Sequence, residues 1–248
     1  MTMVAREEYT FVHELDLEFA FLNEFDAVKP SAYQSLFAQL AERHLFFFNA
    51  DTNETMKYGL SWALISISIE ILRPIDRCMR LYATTWYSGR KGPYYRRELV
   101  FRNEQGEIMF QGSTFSILMD VKARTVFRKK DLPFPLTVPR ENFCIDASPR
   151  HHTTGNYVPV ETRSIYNSDI DNLGHVNNRR YGDFAYDTFE TTEIPLLKQL
   201  KRIDYYFISE LRKGDRVTTE KAVGPCEIHI RGRSETKDEI AFEVIFTF

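Results

Sequence analysis

The order of predicted secondary-structure elements occurs twice along the chain, and this repeat constrains the fold more than any other feature. Apolar residues at helical spacing, among them Tyr33, Leu36 and Leu40, predict a first helix over 29–48. Four segments with strand patterning follow it, at 62–72, 79–87, 94–102 and 107–119. A second helix is predicted at 176–191, before strands at 202–208, 216–223, 226–234 and 239–248. The chain is therefore predicted to be an α+β protein of two similar units, each a helix followed by an antiparallel meander.

A proline-rich stretch separates the two units. Pro133, Pro135 and Pro139 fall close together, and repeated prolines disfavour both helix interiors and central strands. We predict three parts: an N-terminal unit over 1–130, a linker over 131–150 and a C-terminal unit over 151–248. Smaller elements are expected outside the repeat: strands at 9–19 and 157–166, and a polar loop at 51–57.

Composition and residue spacing argue against several classes of protein. A net charge of −3 gives no global reason to expect a nucleic-acid partner. Cys78, Cys144 and Cys226 lack paired metal spacing and are odd in number, so neither a zinc site nor a disulfide framework is indicated. His151 and His152 are adjacent, so on a strand they would point to opposite faces. We expect no metal ion and no cofactor, no membrane span and no secretory signal, and a reduced cytoplasmic setting.

Side chains able to do chemistry crowd into one stretch, between a predicted strand and the second helix. The group contains two carboxylates, three amides and an imidazole: Asp169, Asp171, Asn172, His175, Asn177 and Asn178. A helix start exposes backbone N–H groups, and these can hold an oxygen that gains negative charge. Asp and Asn also favour helix caps, and Gly174 permits a tight bend, so residue types alone leave catalysis and capping both open.

The sequence Asp171-x-x-Gly-His175-Val-Asn-Asn, followed by an aromatic-rich helix, resembles the active-site segment of the acyl-acyl carrier protein thioesterases. The first half resembles that family too, in its helix, in Gly59-Leu-Ser-Trp62 and in Arg73-Pro74. Further similar segments are Thr84-Thr-Trp86, an Arg-rich strand ending in Gly106, and 112–120. The resemblance runs from about Tyr9 to the end of the chain.

The resemblance implies a tandem hot dog fold, in which each of two units is a long helix wrapped by an antiparallel sheet. It implies a hydrolase of fatty acid biosynthesis that cleaves fatty acyl thioesters of acyl carrier protein (ACP). Asp171, His175 and Glu210 match the family's catalytic positions. Asn172 is carried over with them, although plant members place this Asn one residue later, where Leu173 stands here. The residue after the acid is Leu211 rather than the Cys of plant members, so a thiol nucleophile at that place is excluded.

An alignment of the two halves assigns the chemistry to the second. One match aligns Leu72-Arg73-Pro-Ile-Asp76 with 211–215, which places Glu210 opposite Ile71. A second match aligns the two helices, which places His175 opposite Pro30 and Asp171 near Asp26. Under this alignment the first half keeps the scaffold and lacks the polar set. We expect it to supply substrate pocket, with Trp62 in contact with substrate, or structural support.

The predicted mechanism is direct attack of water on the thioester. Glu210 is the first choice as base, since a carboxylate in a partly apolar pocket can have a raised pKa. Asp171 would orient the water, although the two carboxylates could exchange roles. His175 would donate to the carbonyl or steer the water, and N–H groups at 176–178 would hold the oxyanion. No Gly-x-Ser-x-Gly elbow is present in the sequence.

Substrate contacts are expected from Asn177 and Asn178, and from the basic pair Arg212 and Lys213, which could steer an acidic carrier protein. Solvated turns would explain the same basic residues. Three alternatives stay open: a hot dog acyl-CoA thioesterase, an acyl-thioester hydratase or dehydratase, and a degenerate protein that only binds acyl carrier protein. One chain would do the work of two hot dog protomers, and a homodimer of the whole chain is also left open.

Overall fold

The computed structural model describes residues 11–77, 79–151 and 155–248, and these form one antiparallel sheet with helices packed against it. The helices are α1 (Pro30–Phe47), α2 (Thr52–Met56) and α3 (Asn178–Tyr186). The strands of the first half are β1 (Phe11–Asp16), β2 (Leu60–Ile71), β3 (Arg80–Lys91), β4 (Tyr94–Arg102), β5 (Ile108–Asp120) and β6 (Thr125–Val126). Those of the second half are β7 (Val158–Ser164), β8 (Arg202–Phe207), β9 (Arg216–Val223), β10 (Glu227–Ser234) and β11 (Glu239–Thr247). The predicted α+β class and the repeated order of elements are confirmed.

The sheet is continuous through both halves. Its strand order is β1-β3-β4-β5-β2-β8-β11-β10-β9-β7, with β6 paired to the end of β5. The two halves join where β2 pairs with β8, with Ile67 opposite Tyr205. Because both strands are central and both residues are buried, the junction lies inside the core rather than at an exposed hinge.

Helix α1 buries the face that its sequence predicts. Tyr33, Leu36, Phe37 and Leu40 are each no more than 5% exposed, and the rings of Phe37 and Phe101 stack 5.3 Å apart. Burying one such side chain contributes about 1.5–3 kcal/mol, so this face is sufficient to hold the helix on the sheet.

The starts of the two long helices are packed together. The Gln34 side-chain amide donates to the Asn178 carbonyl oxygen at 2.7 Å, and the Tyr205 hydroxyl donates to the Pro30 carbonyl oxygen at 2.9 Å. A Cβ atom on Gly182 would lie 3.0 Å from the Ser31 Cα atom, so glycine allows the two helices to pack this closely without a shift. The helix of the first half is thereby held beside the polar loop of the second.

Two element predictions are corrected. The predicted polar loop at 51–57 contains α2, because the Asp51 carboxylate caps it by accepting the Glu54 N–H at 2.9 Å. Helix α3 is shorter than 176–191: Asn177 is its N-cap, and beyond Tyr186 the chain turns, with the Thr188 hydroxyl donating to the Ala185 carbonyl oxygen.

The alignment of the two halves is also corrected at the polar loop. Isolated antiparallel bridges join Leu22 to Val28 in the first half and Ile170 to Val176 in the second. These equivalent bridges set Asp171 against Asn23 and His175 against Ala27, rather than against Asp26 and Pro30.

The position of Glu210 shifts in the same way. The Leu72 and Arg73 N–H groups both donate to the Met109 carbonyl oxygen, just as those of Ile208 and Ser209 both donate to that of Ala241. Glu210 therefore corresponds to Pro74 and not to Ile71. With the corrected partners the first half still lacks the imidazole and both carboxylates.

The segment between β6 and β7 forms neither helix nor strand in its described part. It is bound to the sheet at both halves: the Arg96 guanidinium donates to the Ile145 carbonyl oxygen at 2.6 Å, and that of Arg202 donates to the Asp146 carbonyl oxygen at 2.9 Å. The division at 130 and 150 stays a prediction.

Several sequence predictions concern residues outside the described ranges. These are the first two residues of the strand expected at 9–19, Cys78 among the cysteines, and His152 of the adjacent histidine pair. No helix in the described ranges is both long enough and apolar enough to cross a membrane.

Candidate active site

The polar loop before α3 is a tight turn closed by its own backbone. The Asp171 N–H donates to the His175 carbonyl oxygen at 2.9 Å, and the Gly174 N–H donates to the Asp171 carbonyl oxygen at 3.1 Å. Gly174 has a φ of 83°, in the left-handed region that favours glycine. The turn fixes the spacing between the side chains of Asp171 and His175.

Capping and a polar site coexist in this loop. The Asn177 side chain is the N-cap of α3 and accepts the Arg179 N–H at 3.0 Å. One Asp171 carboxylate oxygen accepts the Leu173 N–H at 2.8 Å, while the other lies 3.3 Å from His175 Nδ1. Asp171 thus holds both the turn and the imidazole, and a carboxylate at Nδ1 leaves Nε2 as the nitrogen that can face a substrate.

Glu210 is close enough to this pair for the charge of His175 to act on it. It lies before the buried Leu211, whose carbonyl oxygen accepts the Val176 N–H at 2.8 Å, and this contact ties the Glu210 segment to the start of α3. One Glu210 carboxylate oxygen is 3.0 Å from the Arg212 guanidinium and 3.1 Å from that of Arg124.

The prediction that the pKa of Glu210 is raised is wrong. Burial does raise this pKa, but the hydrogen bond from Arg212, the charge of His175 and the contact with Arg124 together outweigh it. The pKa of Glu210 is therefore lowered, and the side chain is an ionised, weakly basic carboxylate at neutral pH.

Fewer backbone N–H groups at 176–178 are available to bind an oxyanion than the sequence predicted. The Val176 N–H donates to the Leu211 carbonyl oxygen, and the Asn177 N–H donates to the Asp169 carbonyl oxygen at 2.8 Å. Both groups are occupied, so of these three amides only that of Asn178 has no hydrogen-bond partner among the described residues.

Asp169 is a buried carboxylate that holds the loop to α3. No role was predicted for it from the sequence. Its carboxylate is 1% exposed, lies 3.0 Å from Arg180 Nε and accepts the Tyr166 N–H at 2.9 Å. A buried carboxylate satisfied in this way holds the 167–169 turn to the first turn of α3. Asp169 belongs to the polar cluster identified in the sequence, which indicated a place near the site. Its ion pair with Arg180 was not predictable from that cluster.

A cavity of about 300 Å³, lined by both apolar and polar side chains, opens beside the loop and extends into the first half. Asp171, Asn172, Leu173, Asn177 and Asn178 line it at the loop. In the first half it is lined by residues of α1 and the facing strands, including Phe37, Ala41, Leu45, Trp62, Leu64, Ile67, Tyr87 and Tyr95. Four of the predicted site residues in the loop, together with Trp62, therefore line one cavity, whereas His175, Glu210, Arg212 and Lys213 do not line it.

The remaining predicted residues differ in their placement. Trp62 is fixed by donating its indole N–H to the Ala50 carbonyl oxygen at 2.9 Å. Asn172 is exposed at the tip of the turn, and its side chain makes no hydrogen bond to another described residue. Arg212 contacts Glu210, whereas Lys213 is exposed beside Gly214 in the following turn.

A cationic side chain lines the cavity next to a neutral histidine. The Arg97 guanidinium lies 2.9 Å from His44 Nδ1, and burial lowers the pKa of Arg97 to about 10. Burial, followed by the charge of Arg97, lowers the pKa of His44 to about 3. His44 Nδ1 is therefore an acceptor for Arg97 in the folded protein at neutral pH.

This pair predicts acid sensitivity. His44 binds a proton near pH 6.5 when unfolded and near pH 3 when folded, so acidification between these values favours the unfolded chain. Between about pH 7.5 and about pH 5 the free energy of unfolding should fall by about 2 kcal/mol through this group. Urea unfolding at both pH values measures it. In His44→Gln this part of the loss should disappear, and an equal loss in the variant would contradict the assignment.

Comparison with known proteins identifies the family. Family models described as the acyl-ACP thioesterase N-terminal domain and the acyl-ACP thioesterase C-terminal domain match residues 10–131 and 159–245. The chain belongs to the acyl-ACP thioesterase family. No match was found among curated protein sequences. Membership of the acyl-ACP thioesterase family supports hydrolysis of acyl thioesters.

Solved acyl-ACP thioesterases share the fold over nearly the whole chain. The enzyme from Bacteroides thetaiotaomicron is 18% identical with a TM-score of 0.86, covering 96% of this chain and 97% of that chain. The 12:0-ACP thioesterase from Umbellularia californica is 13% identical with a TM-score of 0.77, covering 99% of this chain and 98% of that chain. These likenesses confirm the predicted tandem hot dog fold.

The described residues of this family member contain no group of three or more His, Cys, Asp or Glu side chains that could hold a metal ion. Arg124, like Asp169, is a contributor to the site that sequence reasoning missed. It follows β5 at a turn of the first half with a φ of 54°, and it reaches Glu210 from 86 positions away along the chain. No local sequence pattern indicates such a contact.

Proposed function

We propose that this chain hydrolyses fatty acyl thioesters of acyl carrier protein at the site formed by Asp171, His175 and Glu210. The observation that carries the proposal is the polar set beside a cavity with many apolar lining residues, since Asp171 contacts His175 and also lines the cavity. The apolar part of the lining suits the acyl chain, and the polar set suits the reacting carbonyl and a water molecule.

The geometry favours His175 as the base. The Asp171 carboxylate beside Nδ1 holds the imidazole in the tautomer whose Nε2 accepts a proton from water. As water attacks the thioester carbon, its proton passes to Nε2, and the resulting imidazolium is stabilised by Asp171. Collapse of the tetrahedral intermediate breaks the carbon–sulfur bond, and the proton on His175 passes to the leaving thiolate.

Glu210 has a different role in this scheme from the one expected from sequence. Its lowered pKa makes it a weak base but keeps it ionised, so it accepts a hydrogen bond from the attacking water and orients it. The Asn178 N–H and the positive end of α3 stabilise the oxyanion. Arg124 and Arg212 hold the Glu210 carboxylate in place.

Acyl carrier protein is the proposed carrier because exposed basic side chains lie near the site. Arg179 lines the cavity, Arg124 and Arg212 contact Glu210, and Lys213 follows Arg212 in an exposed turn. Carrier proteins are acidic and present a phosphopantetheine arm, so opposite charge would steer docking and orient the arm.

Charge reversal of Lys213 tests the carrier. Lys213→Glu should raise KM for an acyl-ACP thioester about tenfold at low ionic strength and leave kcat unchanged, because Lys213 lies outside the reacting set. Lys198→Glu, at an exposed lysine of the 3-10 helix Ile194–Gln199, is the matched control. An unchanged KM for Lys213→Glu, or an equal rise in the control, would contradict docking at this face.

A further inference from the structure

The cavity ends against the segment that joins the two halves. Along α1 its lining begins at Gln34, which contacts Asn178, and continues through Leu45 to Phe48. Fourteen helical residues span roughly 20 Å, so this wall leads well away from the catalytic loop. At the end of α1 the lining passes to Ala50 and Trp62, and then to Leu136 and Thr137 of the joining segment.

A separate apolar cluster closes the first half at this point. Its buried members are Ala50, Leu60, Tyr95, Leu118 and Phe134. Partly buried side chains of the joining segment pack on the same cluster: Phe127, Leu132 and Leu136. Phe134 is 4% exposed and contacts the Trp62 ring edge-on, with ring centroids 6.1 Å apart. The segment therefore packs over the part of the cavity that Trp62, Leu136 and Thr137 line.

Hydrogen bonds fix the chain that follows Leu136 to the sheet. The Arg140 N–H donates to the Tyr87 carbonyl oxygen at 2.9 Å, and the Trp86 indole N–H donates to the Asn142 carbonyl oxygen at 3.0 Å. Tyr87 itself lines the cavity, so this contact holds the segment directly against the cavity wall.

A buried ion pair anchors the segment farther along. Glu98 is fully buried, lies 2.6 Å from Arg96 and accepts the Cys144 N–H at 3.1 Å. Ser88 and Ser113 hydroxyls also donate to this carboxylate. A buried pair with its remaining lone pairs satisfied has one favoured geometry, so the segment is a fixed wall rather than a free tether.

We propose that Leu136 and Thr137, held in place by the packing of residues 132–134, form the end wall of the acyl pocket, and that Leu136 sets the longest fatty acyl chain that the site accepts. This inference rests on the proposed function of the same cavity. A chain longer than the pocket must displace Leu136 or Trp62, and overpacking of a fixed wall is unfavourable. Each methylene that gains a buried place should raise kcat/KM about fourfold, and one that meets the wall should lower it.

The test is the chain-length profile of kcat/KM on saturated acyl-ACP thioesters of increasing even length. Leu136→Ala should move the optimum up by about two carbons, because it removes roughly three carbon atoms from the wall. Leu136→Phe should move the optimum down. Leu132→Ala is the matched control, since Leu132 packs on the same cluster but does not line the cavity. Thermal unfolding of each variant confirms that it is folded.

A binding experiment tests the wall without catalysis. Free fatty acids of the same lengths displace a fluorescent probe from the cavity, and the displacement measures their affinity. Leu136→Ala should bind longer acids more tightly than the wild type does, and its optimal chain length should again be greater by about two carbons. An optimum that stays in place in both Leu136 variants, or that moves equally in Leu132→Ala, would overturn the inference. Absence of thiol release by wild type would instead count against the proposed function. The binding profile would still show whether Leu136 limits the length of the bound chain.

Discussion

Replacing His175 with alanine is expected to lower kcat/KM for acyl thioester hydrolysis by about a hundredfold or more, the scale of lost general-base assistance. The reason is its contact with Asp171, which at 3.3 Å from Nδ1 presents Nε2 as a proton acceptor. Steady-state thiol release from an acyl-ACP thioester measures the effect.

A second histidine-carboxylate pair supplies the control for this experiment. His229 Nε2 lies 2.9 Å from the Glu227 carboxylate on β10, and neither residue lines the cavity. His229→Ala should retain activity close to that of the wild type. Equal activity of His175→Ala and His229→Ala would remove His175 from the mechanism.

Replacing Glu210 with glutamine is expected to lower kcat on the order of a hundredfold, because the amide no longer offers an ionised acceptor for the attacking water. The shape of the pH profile separates this role from that of a base. If His175 is the base, the fall in kcat/KM at acid pH persists in Glu210→Gln at a reduced plateau.

Glu227→Gln is the matched control for Glu210→Gln, since Glu227 is also a partly exposed carboxylate beside a histidine. It should leave both kcat and the pH profile unchanged. Loss of the acid limb in Glu210→Gln would instead identify Glu210 as the base, despite the lowered pKa that Arg212 and Arg124 give it.

Local periodicity made much of the fold predictable. The apolar spacing of Leu36, Phe37 and Leu40 gives the buried face of α1, and strand alternation gives β4 with the bounds expected. Element ends were less predictable because they depend on single capping contacts. Asp51 converts an expected loop into α2, and Asn177 delays the start of α3.

The local part of the site was predictable for the same reason. Asp171 and His175 are four residues apart in one tight turn, so their proximity follows from the sequence itself. The environment of Glu210 was not predictable, because Arg124 comes from the other half of the chain. The sign of the pKa shift was predicted wrongly because burial was considered without the hydrogen bond from Arg212, the charge of His175 and the contact with Arg124.

The alignment of the halves failed because residue similarity was the only guide. Leu72-Arg73 resembles Leu211-Arg212, but backbone bonding to Met109 and Ala241 sets the true register three residues away. The proposed wall at Leu136 was missed because the prolines before it indicate only an irregular chain, not the surface on which that chain lies.

The measurement that tests the central claim most directly is thiol release from matched ACP and coenzyme A thioesters by wild type and His175→Ala side by side. We predict release by wild type, faster from the ACP thioester, and loss of about a hundredfold or more in the variant. Absence of release from every thioester by wild type, or equal release by the variant, would contradict hydrolysis at the second-half site.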